Sequence, residues 1–293
     1  MLLAQQMPHF TQYLLNDYVI NPAIGGSKNY FESKLNHREQ WVGITDAPRT
    51  NVLSLHGPLE NKKMGVGGYL FSDVLGPTRL SGARLSYSYH LQVTQDYKVS
   101  LGLSGGVLQY LIDGAKISTQ ETGDIALSSG VQSVYVPDAG FGVYLYSDNL
   151  FFSISAPQII PVKLQFFENY KETQSKLVNH YYVMGGYRFD INNDITIEPS
   201  FLVKYVVPVP PQFEVSARAF YKRNIWVSST FRSQDAINFA LGYSFQNNIL
   251  VGYSYDYTTS NLRNYSSGTH EVMLGVRFKH RKKVLKTTSE NEE

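Results

Sequence analysis

Cysteine does not occur anywhere in the chain, which removes disulfides, thiol catalysis, cysteine-based zinc sites and iron–sulfur clusters together. Charge is scarce: 17% of the 293 residues are charged, against the roughly 25% usual in soluble domains. What charge there is nearly cancels, with 26 Lys and Arg facing 24 Asp and Glu. Neither counterion-driven binding of nucleic acid nor the self-repulsion of an acidic disordered chain is therefore expected, and nucleic acid is excluded as a partner. Long apolar runs are missing too. No stretch approaches the ~18 to 20 consecutive apolar residues of a spanning helix, and a mean hydropathy of −0.23 is too polar for a helical membrane protein.

What the chain has instead is alternation. From about Phe31 onward the dominant period is two, the signature of half-buried strands. Ile249, Val251, Tyr253, Tyr255 and Tyr257 interleave with Gly252, Ser254, Asp256 and Thr258. The segment before them repeats the pattern, with Ile237, Phe239, Leu241, Tyr243 and Phe245 on one face. Ala83, Leu85, Tyr87 and Tyr89 form another such row, as do Phe141, Val143 and Leu145. Short turn signals, such as Asp148-Asn149, Asn192-Asn193-Asp194, Lys222-Arg223-Asn224 and Asn247-Asn248, take turns with longer excursions. The longer ones centre on Trp41–Thr50, Val74–Thr78, Ile117–Pro137, Pro161–Lys176, Pro208–Gln212, Ser233–Asp235 and Leu262–Gly268. Alternating connections of this kind join about 14 strands, and roughly 18 residues per strand plus connection leave room for spanning strands of ~10 residues.

A soluble β-sandwich would also alternate, but two features favour a closed barrel. One strand face is aromatic and aliphatic up to the turns, with tyrosines near the ends as in interfacial girdles, while the other carries Gly, Ser, Thr, Asn and little Lys or Glu, as a lumen would. The expected fold class is all-β: a transmembrane antiparallel β-barrel of about 14 strands with short periplasmic turns and long extracellular loops. Backbone groups in hydrocarbon must all be paired, so the last strand, Val272–Phe278, should close on the first, near Phe31–Arg38. Pro199 falls inside a strand and reads as a bulge. The expected division is an N-terminal segment over 1–30, a barrel over 31–278 and a basic-then-acidic periplasmic tail over 279–293. Met1-Leu2-Leu3-Ala4 reads either as the remnant of a signal peptide or as an ordinary start, and the segment after it as packing in the lumen or at its periplasmic mouth.

No catalytic or metal-binding constellation emerges. The seven histidines stand singly, and His270-Glu271 lacks the second histidine of a zinc-protease motif because position 274 is Leu. Gly65-Val66-Gly67-Gly68 and Gly102-Leu103-Ser104-Gly105-Gly106 lie within strands, where glycine gives curvature and close backbone approach rather than a phosphate cradle. No enzyme activity, metal or cofactor is expected.

Near the start, Met7-Pro8-His9-Phe10-Thr11-Gln12-Tyr13 leads to Asn21-Pro22-Ala23-Ile24-Gly25-Gly26. Then follow Arg38-Glu39-Gln40-Trp41-Val42-Gly43, Asp46-Ala47-Pro48-Arg49-Thr50, Gly57-Pro58, Asp73 and Gly76-Pro77. In this order the segments resemble the PorP/SprF family of type IX secretion system outer-membrane proteins from Bacteroidota. The matching positions are Phe10, Gln12, Tyr13, Asn21, Pro22, Gly25, Arg38, Gln40, Trp41, Gly43, Pro48, Thr50, Gly57, Pro58, Asp73, Gly76 and Pro77. Asp17-Tyr18-Val19-Ile20 departs from the family's aromatic-rich approach to Asn-Pro, which leaves the subfamily open.

The resemblance implies an integral bacterial outer-membrane component that supports secretion and cell-surface attachment of a client such as a gliding adhesin. Its implied partners are outer-membrane lipid, a secreted client with a type IX C-terminal domain, and periplasmic secretion-ring or peptidoglycan-linked proteins. A porin-like passive solute channel is the competing function. Candidate partner-binding residues, chosen as outer-loop aromatics and the basic residue beside them, are Trp41, Arg49, Tyr135, Phe166, Phe167, Tyr170 and Tyr265. For each aromatic the alternative is an interfacial or lipid-facing anchor.

Overall fold

The computed structural model describes residues 15–60, 63–117, 130–161, 163–164, 175–176, 178–206 and 208–278. Fourteen strands form the wall: β1 Phe31–Glu39, β2 Arg49–Pro58, β3 Met64–Leu75, β4 Thr78–Gln92, β5 Lys98–Asp113, β6 Val131–Tyr146 and β7 Leu150–Gln158, then β8 His180–Tyr187, β9 Ile195–Val206, β10 Val209–Tyr221, β11 Ile225–Arg232, β12 Ala236–Phe245, β13 Ile249–Thr258 and β14 Thr269–Phe278. Each pairs antiparallel with its sequence neighbours. β1 closes on β14 from Phe31↔Phe278 to Glu39↔His270, so no edge is left between the first strand and the last. This is the closure the alternation required, since an open sheet edge in hydrocarbon would strand its N–H and C=O groups. The helical residues described are short 3-10 turns.

Period two explains the wall directly. Leu241, Val251, Tyr253 and Phe245 all point outward and are about half exposed, while the residues between them are buried. Tight turns at one rim take the left-handed backbone that two-residue hairpins require: Lys222 and Arg223 have φ of 48° and 59°, Gln246 and Asn247 of 48° and 57°. Both ends of the barrel chain, Phe31 and Phe278, lie at this rim. At the opposite rim several longer excursions contract, because strands run through them. β3 and β4 are joined across Gly76-Pro77 alone, and Val209–Gln212 belong to β10.

Two further expectations change. Pro199 makes no bulge: β9 keeps its register through Pro199↔Ala217 to β10. Its missing N–H coincides instead with a gap on the β8 side, where the ladder stops at Gly186↔Ser200 and resumes in the same register at Phe189↔Ile197. The irregularity in β9 lies at Lys204–Val206. The inward face, moreover, is not poor in charge. In β1 alone Glu32, Lys34 and Arg38 are all buried, and the pattern judged from β12 and β13 does not represent the other strands.

Candidate functional site

The lumen is occupied by the chain's own N-terminal segment. Residues Asn16–Gly26 cross the inside of β1 to β7 as two 3-10 turns, Asp17–Val19 and Pro22–Ile24. Asn21 starts the second turn: its Oδ1 accepts the N–H of Ala23 at 2.8 Å, and Pro22 stands at the first position, where its missing N–H costs nothing. The same side chain ties the turn to the wall, Nδ2 donating to Ser153 Oγ at 2.7 Å and to the carbonyl of Val143 at 3.0 Å. Around it, the Ser155 hydroxyl donates to the Ile20 carbonyl at 2.9 Å, and Ser88 Oγ and His90 Nε2 both donate to the Gly25 carbonyl. Tyr18 lies against His56, with ring centroids 4.5 Å apart and the planes tilted by 30°, and shares a hydrogen bond with Ser86; burial pushes its phenol above the usual tyrosine range.

Glycines in the wall make the fit possible. A Cβ on Gly142 would strike the Asn21 amide, one on Gly102 the backbone of Ala23, and one on Gly65 the carbonyl of Gly25. Gly26 has φ +75°, and a side chain there would meet Gly65 at 2.5 Å. The strand glycines thus provide close backbone approach, as their placement within strands implied. Packing is tight: the void bounded by Tyr18, Val19, Pro22, Tyr69, Arg84, Ser86, Ser104 and Pro157 is about 10 Å³, room for one water.

The rest of the lumen is crossed by buried ion pairs that join strands far apart in sequence. Arg38 holds Asp256 at 2.9 Å and Glu271 at 3.3 Å. Asp256 also takes Arg232 at 3.1 Å, and Arg232 reaches Asp235 at 3.0 Å and Glu214 at 3.3 Å; Glu214 pairs in turn with Lys204 at 2.5 Å. Separate clusters join Arg188 and Arg218 to Glu198, Arg84 to Asp138, and Lys34 and Arg277 to Glu32. Asn36 links the network to the plug, donating to Glu271 at 3.1 Å and accepting from Asn16 at 2.8 Å. Of these residues the sequence motifs single out only Arg38, although Glu32, Lys34, Asn36 and Arg38 at every second position spell out a charged inward stripe.

At the rim opposite the chain ends, the matched motifs form a clasp. Loop 40–48 is bonded to loop 259–268 through Val42 N–H to the Gly268 carbonyl (2.9 Å) and Ser267 N–H to the Val42 carbonyl (2.7 Å). The Trp41 N–H donates to Thr269 Oγ1 at 3.1 Å, and Trp41 itself takes the left-handed region with φ 48°. Gln40 N–H donates to the Pro48 carbonyl, Gly76 N–H to the Asp46 carbonyl, and Thr50 Oγ1 to Asp73 at 2.5 Å. Gly43 in this clasp has φ +101°, whereas Gly57 lies at the chain-end rim, where its missing side chain leaves room for the Phe31 ring.

Of the candidate partner-binding residues, Trp41 and Tyr265 come together on these two loops, with Tyr265 76% exposed, and Arg49 opens β2 beside them, paired with Glu39 at 3.2 Å. Tyr135 does not sit in a loop. It lies in β6, paired with Gln109 and pointing outward. The strand begins at Val131, so the loop expected over Ile117–Pro137 is shorter at its C-terminal end. Phe166, Phe167 and Tyr170, the motif residues Phe10, Gln12 and Tyr13, and the tail 279–293 lie outside the described residues.

The family model of the type IX secretion system membrane protein PorP/SprF matches residues 2–276. Among solved structures, a Pseudomonas aeruginosa FadL homologue is similar at 11% identity and a TM-score of 0.56, over 94% of this chain and 95% of that one. The P. putida toluene transporter TodX is similar at 12% identity and a TM-score of 0.50, over 91% and 95%. At such identities the likeness concerns the barrel fold alone. No curated protein matches the chain in sequence.

Proposed function

The chain belongs to the PorP/SprF family of type IX secretion system membrane proteins, and from that premise we propose that this outer-membrane barrel holds a secreted client at the cell surface, without enzymatic activity and without conducting solutes. The observation that carries the reading is the filled lumen. A barrel whose N-terminal segment is hydrogen-bonded to five of its strands and packed against two more, and whose remaining interior is crossed by ion pairs, is built to be rigid rather than to pass cargo. Contact with other proteins then falls to the rims.

With the chain ends on the periplasmic side, the clasp of loops 40–48 and 259–268 faces outward and offers Trp41, Arg49 and Tyr265. Large aromatics and arginine are the residue types that anchor protein interfaces. The periplasmic rim, with its short turns, is the side on which the secretion machinery would be met. A porin-like channel has the plug and the ion pairs against it.

The test is a deletion strain. The client should still be made but should be lost from the cell surface, and a Trp41→Ala, Tyr265→Ala double variant that folds normally should reduce display. Normal surface display of every type IX cargo in the deletion strain would overturn the reading; normal display in the double variant alone would overturn only the contact site.

A further inference from the structure

The apolar face of the wall is of unequal height. In β9 every outward residue is apolar or aromatic from Ile195 through Phe201 to Tyr205. Climbing about 2.6 Å per residue at a tilt of roughly 40°, this row spans about 26 Å, the full apolar band of such barrels. In β1 the outward row is Phe31, Ser33, Leu35, His37 and Glu39, and its apolar part ends at Leu35, after roughly 10 Å. β2 agrees, since Leu55 and Leu53 are followed toward the outer rim by Asn51 and Arg49.

The difference is one of level and not only of length. The strands share a floor at the rim of short turns, where Phe31 stacks on Phe278 with ring centroids 5.8 Å apart. Six residues above that floor, β9, β10, β11 and β12 present Phe201, Val215, Phe231 and Phe239, all exposed on the lipid face. At the same count β1 presents His37, directly opposite Asn51 of β2. Both are exposed, and His37 Nδ1 bonds to Asn51 Oδ1 at 2.8 Å. An amide oxygen only accepts, so the imidazole donates and the Asn51 amide keeps its own N–H groups for another acceptor. At the next outward position Arg49 spends its Nε on Glu39 at 3.2 Å, which leaves both terminal nitrogens of a guanidinium that is 67% exposed.

Hydrocarbon cannot satisfy such groups, and a bilayer meets a short apolar face by thinning. The loops above this stretch, 40–48 and 259–268, are bonded to each other in the clasp and leave His37, Asn51 and Arg49 exposed. We propose that the outer half of β1 and β2 seats the phosphate-bearing headgroup of an outer-leaflet lipid below the level of its neighbours. Asn51 Nδ2 and the Arg49 guanidinium are the donors, and His37 fixes the Asn51 amide. The occupant follows from continuity: Leu35, Leu53 and Val272 beside the pair belong to the lipid face, so lipid is what reaches it. The headgroup follows from chemistry, because amide and guanidinium N–H groups together call for an anionic oxygen acceptor. The site is independent of client docking.

The chain has no cysteine, so single probes can be placed freely. Purified barrels carrying a fluorophore at Leu35→Cys or at Leu241→Cys, each four residues above the floor, are reconstituted in phosphatidylcholine–phosphatidylglycerol vesicles that contain a headgroup-attached quencher. Quenching should be stronger at position 35 than at 241, and a His37→Leu, Asn51→Leu double variant should abolish the difference. Native mass spectrometry of barrels extracted from the same vesicles reads the chemistry: affinity for phosphatidylglycerol should fall roughly tenfold in the double variant, as loss of hydrogen bonds to a charged group requires. Both substitutions extend the apolar face and leave Arg49 and the clasp in place, and heat-modifiable gel migration checks folding. Should the double variant misfold, the comparison of positions 35 and 241 in the otherwise native barrel still decides. Equal quenching at those two positions, equal retention of a galactolipid without phosphate, or a second copy of the chain on this face in place of lipid overturns the proposal.

Discussion

If the plug closes the lumen, weakening one anchor should open it in proportion to the free energy removed. Asn21 is the anchor of choice because it is fully buried and its side chain serves both the plug and the wall. In Asn21→Ala the cap on Ala23 N–H (2.8 Å) and the bonds to Ser153 Oγ (2.7 Å) and the Val143 carbonyl (3.0 Å) disappear. A neutral buried hydrogen bond contributes about 1 kcal/mol net, and losing an N-cap costs about 0.5–2 kcal/mol. The terms overlap, so docking should weaken by about 2–4 kcal/mol, which multiplies the undocked population roughly thirtyfold to several hundredfold. Single-channel recording in planar bilayers reads this out. The native barrel should be nearly silent, Asn21→Ala should show brief openings, and deletion of residues 5–28 should give the longest. Gly142→Ala attacks the same contact from the wall, since its Cβ would strike the Asn21 amide, and should act in the same direction. Steady, large currents from the native chain that the deletion leaves unchanged would refute the idea that the plug occludes. Silence of both point variants while the deletion conducts would place the anchor elsewhere.

The outward face and the ion pairs make separate predictions. Leu241 is 58% exposed in the middle of β12, so Leu241→Arg should lower barrel stability by roughly 2–4 kcal/mol in lipid, whereas Tyr257→Arg near the strand end should cost about 0–1 kcal/mol; urea unfolding in vesicles compares them, and equal costs would reverse the depth assignment. Arg232→Met leaves the buried Glu214 and Asp256 short of a partner and should cost about 3–5 kcal/mol by the same assay, with a loss below 1 kcal/mol contradicting the network. Ser254 is fully buried within the lumen, so Ser254→Arg should also destabilise, by overpacking rather than by contact with lipid.

The wall was legible because its physics is local. Period two assigns each residue of a strand to lipid or lumen, and turn residues such as Lys222-Arg223 and Asn247-Asn248 mark where the chain reverses, so strand number, closure and the lipid face all follow from neighbours in sequence. Pro199 shows the limit of that locality. Loss of one N–H can be met by a bulge or by a gap in one ladder, and only the alignment of β8 with β9 decides which. Tyr135 shows it again, for β5 and β6 extend far beyond the membrane-spanning length on which the loop boundary was judged.

The contents of the barrel were less legible, for a reason that also bears on what the motifs do. Arg38 meets Asp256 and Glu271 from more than two hundred residues away, and alternation shows only that all three face inward, never that they face each other. A charge counted on one strand therefore looks like isolated lumen polarity until closure supplies its partner. Asn21, by contrast, sits in a recognisable turn, yet its wall partners are backbone carbonyls and serines that no motif displays. The matched positions divide accordingly. Asn21, Pro22 and Gly25 build the plug, while Arg38, Gln40, Trp41, Pro48, Thr50, Asp73 and Gly76 build or brace the clasp at the far rim. Both groups shape the barrel whether or not they touch a partner, so an alanine at Asn21 or Thr50 that abolishes display says nothing by itself about docking. Exposed residues such as Tyr265 are where binding can be separated from folding.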